Sequence, residues 1–337
     1  MKEWQKALKA RGWMKKNESF LSTWHAYVGN ELNLFRMFEK PKTVREVVDE
    51  TGLSEELLDC WVQIGAVVHH LRKRTGNRYR TSKKNCGEFL SSEGAGIGAL
   101  LKEVMELHIP TLLSYPTYMT SNERAVFNHD RFGSVVAETS SLLENFAIKR
   151  IKRIVQEENT QTVVDLGCGY GGYLRKLTET FPTVDMVGVD LNEDVVAYAR
   201  QLSKEYSNIQ FEVGDASTWH PSTGEVDLVL IHNIFHYLDL TSRQQLLRHI
   251  SKWISKDGKI SVITPINDID QSMAFPKVFN GFFTAHSNLH PLPTVEGIQE
   301  MAHEVGLTIS KFQPIVREGG WYSYWLTPQQ TDVPLEV

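Results

Sequence analysis

Thr162-Val-Val-Asp-Leu-Gly-Cys-Gly-Tyr-Gly-Gly172 reads as a buried strand that runs through a glycine turn into a helix. Gly167 and Gly169 let the backbone turn tightly and approach a bound molecule with no Cβ in the way, and Gly171 extends that freedom to the helix start. Gly167, Gly169 and Gly172 also satisfy the G-x-G-x-x-G spacing of dinucleotide sites, a pattern that its surroundings must interpret. A dinucleotide would set its pyrophosphate on this turn, where Asp165, two residues before the first glycine, would repel it. A cationic ligand is favoured there instead.

Two further acids recur at strand ends. Asp190 closes Met186-Val-Gly-Val-Asp190, and Asp215 follows the next strand in Gly214-Asp-Ala216. S-adenosylmethionine (SAM) matches all three: its sulfonium and ammonium suit Asp165, its ribose hydroxyls suit Asp190, and its adenine amino group suits Asp215. Leu191 and Ala216 follow two of these acids, and His232 and Asn233 end a later strand, so these four are expected to line the same cofactor pocket.

Outward from this turn, from about residue 160, strands and helices alternate. Strands are expected at 184–189, 209–213, 227–231 and 259–264, with helices at 171–181, 193–206, 242–254 and 295–305. The strands are near-continuous apolar runs, as a parallel sheet covered on both faces requires. Segments 307–314 and 321–327 follow one another without a helix and predict an antiparallel hairpin at the sheet edge. The fold class is α/β, a Rossmann-like sheet preceded by a mostly helical domain.

That preceding domain has its own punctuation. Thr43, with Glu46 at capping-box spacing and Gly52 as a stop, brackets a short helix. Ser54 caps a second helix whose apolar stripe is Leu57, Leu58, Trp61, Val62 and Ile64. A strand from Val67, a Gly76-Asn77 turn and a strand at Tyr79 complete a winged-helix pattern. Between residues 54 and 68 there is no Lys or Arg, and Glu55, Glu56 and Asp59 would face phosphates, so nucleic acid is not an expected partner. The stripe, with Trp61 as anchor, is expected to pack against a second copy in a homodimer. The expected division is 1–94 for this dimerisation domain, 95–158 for a helical connecting layer, and 159–337 for the cofactor-binding domain.

Composition sets the remaining bounds. Of 337 residues, 41% are hydrophobic and 23% charged, enough for a proper core. Net charge is −5, so the chain as a whole does not suit a polyanion; its basic runs, residues 1–16 and 69–84, read as solvated surface. Three cysteines at unrelated spacings (Cys60, Cys86, Cys168) fit neither a disulfide framework nor a metal cluster. No apolar run is long enough to span a membrane, and no secretory signal opens the chain, which leads to a cytoplasmic expectation.

On Val164-Asp-Leu-Gly-Cys-Gly-Tyr-Gly-Gly172, Gly188-Val-Asp190, Gly214-Asp-Ala216 and the closing hairpin, residues 160–327 resemble a class I SAM-dependent methyltransferase. With the winged helix in front, the chain is similar to the small-molecule O-methyltransferase superfamily, in which that module builds a dimer. The resemblance implies a seven-stranded sheet with an antiparallel last strand and a small-molecule substrate. It also implies a general base after the fourth strand, where the superfamily commonly reads His-Asp-Trp. Here His236 takes the first place, while Tyr237 and Leu238 replace the Asp and Trp. The leading expectation is O-methylation with His236 as base.

An alternative comes from the stretch 281–294, read as a Phe-rich loop over the strand ends. It resembles the loop of metal-dependent C-methyltransferases of α-keto acids such as phenylpyruvate. There, two His hold a metal that favours the enol; His236 and His286 occupy those places, with Asp239 as a substitute third ligand to iron or zinc. His286 is thereby a second candidate catalytic residue. A third reading is a non-catalytic SAM-binding regulator. Pocket aromatics are sought among Tyr115, Tyr118, Phe282, Phe283, Trp321 and Tyr322.

Overall fold

The computed structural model describes residues 3–91, 95–222, 224–269 and 273–329, and the expected domain boundary at residue 94 lies outside them. The chain forms two compact units, Met1–Pro110 with Ser134–Thr139, and Thr111–Gly133 with Ser140–Val337. The helical stretch expected at 95–158 is thus shared between the units.

The first unit carries α1 (Glu3–Lys16), α2 (Glu18–Glu31), α3 (Leu34–Met37), α4 (Val44–Thr51) and α5 (Glu55–Val67). The hairpin β1 (Leu71–Arg74) and β2 (Arg78–Thr81) follows, then α6 (Lys83–Cys86) and α7 (Ala95–Glu103). The capping box forms as spelled: Thr43 Oγ1 accepts from Glu46 N, and the Glu46 carboxylate accepts from Thr43 N. Arg78 of β2 grips the same carboxylate with both terminal nitrogens, at 2.9 and 2.8 Å, and so ties the hairpin to α4.

Most of the stripe on α5 faces inward, while Leu57, 73% exposed, stays on the surface. Leu58, Trp61 and Val62 are buried with Phe35, Phe38 and Val47 in this unit's core. Trp61, 3% exposed, stacks on His25 at 4.2 Å and donates Nε1–H to the His25 carbonyl. It therefore has no surface left with which to anchor a dimer, and that expectation is corrected. The wing also starts later than expected. α5 continues through Val67, His69 takes a left-handed φ of 64°, and pairing begins at Leu71. This reversal sends His70 back into the core, where its Nδ1 lies 2.9 Å from that of His25.

These two imidazoles form a chain of determinate protonation. His25 Nε2 faces the Trp61 carbonyl at 3.0 Å and must donate to it. In the neutral state His25 Nδ1 then accepts from His70 Nδ1, leaving His70 Nε2 to accept from Ser22 Oγ at 3.1 Å. Burial first, and the neighbouring His70 second, push His25 down to about 4. The unfolded chain therefore takes up this proton near pH 6.5 while the folded chain refuses it until about pH 4. Stability is full above pH 6.5 and is lost as pH falls through that window, by roughly 2–3 kcal/mol from His25. Thermal unfolding at pH 7 and pH 5 should show this loss in the wild-type chain and a smaller one in His25→Gln. Equal pH dependence in both would disprove the assignment.

Between the hairpin unit and the sheet come α8 (Ile109–Leu113), α9 (Tyr115–Ser121) and α10 (His129–Glu157). The second unit's sheet is built from β3 (Thr162–Leu166), β4 (Asp185–Asp190), β5 (Ile209–Val213), β6 (Val226–His232), β7 (Ile254–Pro265), β8 (Leu307–Val316) and β9 (Trp321–Pro328). Its order is β5-β4-β3-β6-β7-β9-β8. Neighbours from β5 to β7 are parallel, while β9 runs antiparallel to both β7 and β8. The chain's order reverses at β3, the place where open α/β sheets bind ligands.

The helices of this unit are α11 (Gly172–Thr178), α12 (Glu193–Leu202), α13 (Leu240–Ile250), α14 (Ala274–Thr284) and α15 (Val295–Glu304). Two apolar clusters cover the sheet's faces, one with Leu246, Ile250 and Ile298, the other with Ile151, Leu174 and Val196. Several boundaries differ from expectation. α13 ends at Ile250 because a turn at 251–253 leads into an earlier start of β7. α12 ends at Leu202, with Ser203 as its cap. Most relevant to the site, residues 281–284 are not loop but the last turn of α14, whose Phe279, Phe282 and Phe283 recur at helical spacing and are buried. Among the described residues, no helix is long and apolar enough to cross a membrane.

Candidate active site

The glycine turn is held by the ends of its neighbouring strands. Gly167 N and Cys168 N both donate to the Val189 carbonyl, at 2.8 and 3.0 Å. Gly169 N donates to Asp190 Oδ2 at 3.0 Å, and Asn192 N donates to Oδ1 of the same carboxylate at 3.0 Å. Gly167 has φ 75°, and a Cβ there would run into the Ile234 side chain, so only glycine fits. Asp165 sits below the turn, 1% exposed, with Oδ2 lacking any partner. Burial raises its pKa well above the carboxylate range, with Glu144 and Asp190 adding repulsion. An unpartnered buried carboxyl oxygen beneath a glycine turn fits a cationic ligand such as SAM.

The other expected cofactor residues lie around this turn to different degrees. The Asp190 carbonyl accepts from Gly214 N at 3.0 Å, which draws the Asp215 segment alongside. Asp215 is exposed and shapes its own loop, with Oδ1 accepting from Ser217 N at 2.8 Å. Leu191 is exposed beside Asp190, and Ala216 is half-buried. The His232 side chain turns into the core instead. Its Nε2 lies 3.0 Å from Ser261 Oγ, its ring 4.5 Å from that of Tyr173, and burial lowers it to about 3. Asn233 adopts a left-handed φ of 59°, and its Oδ1 accepts from Trp321 Nε1 at 3.0 Å.

Beyond Asn233 the chain makes a short 3-10 turn, Phe235–Tyr237, that carries His236. This imidazole is 6% exposed, and its Nδ1 has no partner. Burial first, and the Arg243 cation second, hold it down to about 3, so it is neutral throughout the physiological range. Its ring lies 4.3 Å from Tyr237 and 4.5 Å from Phe283. The turn is pinned from outside: Arg243 donates Nε–H to the Phe235 carbonyl and Nη2–H to that of Pro291, both at 2.7 Å. His290 N donates to the His236 carbonyl at 2.9 Å.

His286 is buried just past α14, with Nδ1 donating to the Phe282 carbonyl at 2.8 Å. Its ring lies 4.5 Å from Phe282 and 6.2 Å from Phe127. Phe127 and His129, at the start of α10, approach Tyr237 at 6.3 and 5.5 Å. The result is a wall of aromatic and imidazole rings beside the His236 turn. Phe127, His129 and Arg243 carried no motif that the sequence reading detected.

The iron or zinc set is not assembled. Asp239 is exposed and caps α13, its Oδ1 accepting from Ser242 N at 2.7 Å. Among the described residues, no three His, Cys, Asp or Glu side chains stand close enough to hold a metal. His236, His286 and Asp239 are thus not brought together as one set of ligands among the described residues.

A glycine turn after β3, acids ending β4 and following β5, and an antiparallel β9 define the fold of a class I SAM-dependent methyltransferase. Residues 163–258 match the family described as methyltransferase domain. The trans-aconitate 2-methyltransferase of Variovorax paradoxus is 30% identical over 105 residues, 31% of this chain and 39% of that protein. The malonyl-[acyl-carrier protein] O-methyltransferase of Halalkalibacterium halodurans is 24% identical over 110 residues, 32% of this chain and 40% of that protein. The chain thus matches about two fifths of the length of these relatives.

Among solved structures, the fold is similar to mitomycin 7-O-methyltransferase, with a TM-score of 0.77 at 15% identity, covering 96% of this chain and 98% of that one. Human N-acetylserotonin methyltransferase in complex with SAM gives the same score and identity, with 98% and 99% covered.

If Asp190 receives the ribose hydroxyls, Asp190→Ala removes both acceptors together with the bond that holds Gly169. SAM affinity by calorimetry should fall at least about tenfold, the equivalent of one charge-assisted hydrogen bond. Unchanged affinity would remove Asp190 from the site.

Proposed function

We propose that this protein is a SAM-dependent methyltransferase that methylates a hydroxyl oxygen of a small, flat metabolite, with His236 as general base. The cytoplasm is the proposed compartment. The observation that carries this reading is a neutral imidazole with an unpartnered Nδ1, placed just past β6 and walled by aromatic rings. When bound, SAM supplies a methyl group activated by its sulfonium.

This chain's task is then to align a hydroxyl and take its proton. Asp190, Asp215 and the glycine turn hold the nucleoside end, with Leu191, Ala216 and Asn233 as the proposed rim and His232 contributing through its backbone alone. Phe127, Tyr237, Phe282 and Phe283 suit the flat face of a substrate and keep water from it. His236, held neutral by burial and by Arg243, keeps a lone pair free for the hydroxyl proton. His286, fixed by the Phe282 carbonyl, serves as a wall and orienting residue.

His236→Ala should lower turnover by about 100-fold or more, measured as S-adenosylhomocysteine release over a panel of phenols and hydroxy acids, with SAM affinity near that of wild type. The pH profile carries the sign of the shift. A base held near 3 in the free protein stays neutral as pH falls through 6.5, so kcat/KM should show no acid limb there from His236. Near wild-type turnover in the variant would remove His236 from the mechanism.

We further propose a homodimer, built through α1 and α2 rather than through Trp61. α1 buries no residue, and it exposes Trp4 at 66%, Trp13 at 69% and Met14 at 74%. Phe20 and Leu21 of α2 continue this apolar surface. A 14-residue helix with no buried side chain gains little from its own hydrogen bonds, so a second copy is the covering surface. The helix–helix–hairpin of residues 44–81 is, in this proposal, a winged-helix module adapted to that assembly. Light scattering should give a dimer at micromolar concentration and a monomer for Trp4→Lys with Trp13→Lys. A monomeric wild type would disprove it.

A further inference from the structure

We infer that Glu144, on the long helix α10, is a cofactor-binding residue that acts with Asp165 to receive the ammonium group of SAM's amino-acid end. The inference rests on the reading that SAM occupies the Gly167–Gly172 turn, and adds to it a residue outside every recognised motif.

The first observation is steric. Gly172 is an ordinary helical residue at the start of α11, so backbone conformation does not demand glycine there. A Cβ at Gly172, however, would collide with both carboxylate oxygens of Glu144. Gly172 thus makes room for a carboxylate, which a pyrophosphate site would not tolerate. Lys176, one helical turn further along α11, fixes that carboxylate through a 2.6 Å contact from Nζ to Oε2. The Glu144 side chain is 13% exposed, so its charge is largely withdrawn from water.

The second observation is a deficit of partners. Asp165 Oδ2 and Tyr173 Oη are both buried with nothing to bond. After burial itself, the Glu144 charge acts most strongly on each of them, which places all three groups in one neighbourhood. Two carboxylates there are met by one lysine. A bound ammonium restores the balance, and its three N–H donors suit acceptors on converging side chains. Nothing in this arrangement involves the ribose or the base, so its contribution is separable from theirs.

Isothermal titration of the full chain with SAM, S-adenosylhomocysteine and 5′-methylthioadenosine separates the two. The last ligand keeps the adenosine and the thioether but lacks the ammonium. Glu144→Gln should weaken SAM and S-adenosylhomocysteine by about tenfold to a hundredfold, the loss of one charge-assisted hydrogen bond. It should leave 5′-methylthioadenosine within about twofold, well under one such bond. Gly172→Ala, which displaces the same carboxylate, should reproduce this selective loss. An equal loss for all three ligands, or no loss for any, would overturn the role of Glu144. A wild-type chain that binds none of them would instead overturn the cofactor reading on which the inference rests.

Discussion

The carboxylate of Asp190 binds two backbone amides at once, Gly169 in the glycine turn and Asn192 at the start of the next loop. Two strand ends are thereby held in register at the point where the sheet's order reverses. Without that clamp the turn, whose glycines occupy left-handed backbone, would have many conformations open to it. The rest of the site is arranged on this base. The Gly214 amide bonds to the Asp190 carbonyl, and Ile234 fills the space that Gly167 leaves. A single anionic group thus organises a surface that, in the proposed function, has to receive a cation.

Much of this surface was legible in the sequence, for a definite reason. Parallel strands are short apolar runs, and their ends are marked by the first polar residue, so Asp165, Asp190 and Asp215 could be placed from local pattern alone. The alternation of strands and helices, and the hairpin that follows α15, were legible on the same ground. Groups that reach the site from elsewhere in the chain left no such mark. Arg243 acts through carbonyl oxygens, which belong to no residue type. Glu144 looks like any acid on an amphipathic helix. Spacing likewise brought His236, His286 and Asp239 into one hypothesis, while Asp239 is engaged in capping α13.

The first unit shows the converse error. An apolar stripe on a helix marks a buried face but does not say what buries it. On α5 the answer is internal, because Trp61 stacks on His25 and the hairpin folds back to deliver His70. The reversal at His69 has no signature such as Gly or Pro, so the expected strand began too early. On α1, where the pattern is weaker, no apolar side chain is covered.

Arg243 has a consequence for how such a site changes over generations. Both of its bonds go to main-chain oxygens, at Phe235 and Pro291, and no substitution at either position deletes those acceptors. The His236 turn is therefore insulated from drift in its own side-chain surroundings. Phe127, Tyr237, Phe282 and Phe283 can be exchanged for larger or smaller rings while the imidazole keeps its place. Under the proposed function, selectivity can wander while the position of the basic nitrogen is inherited.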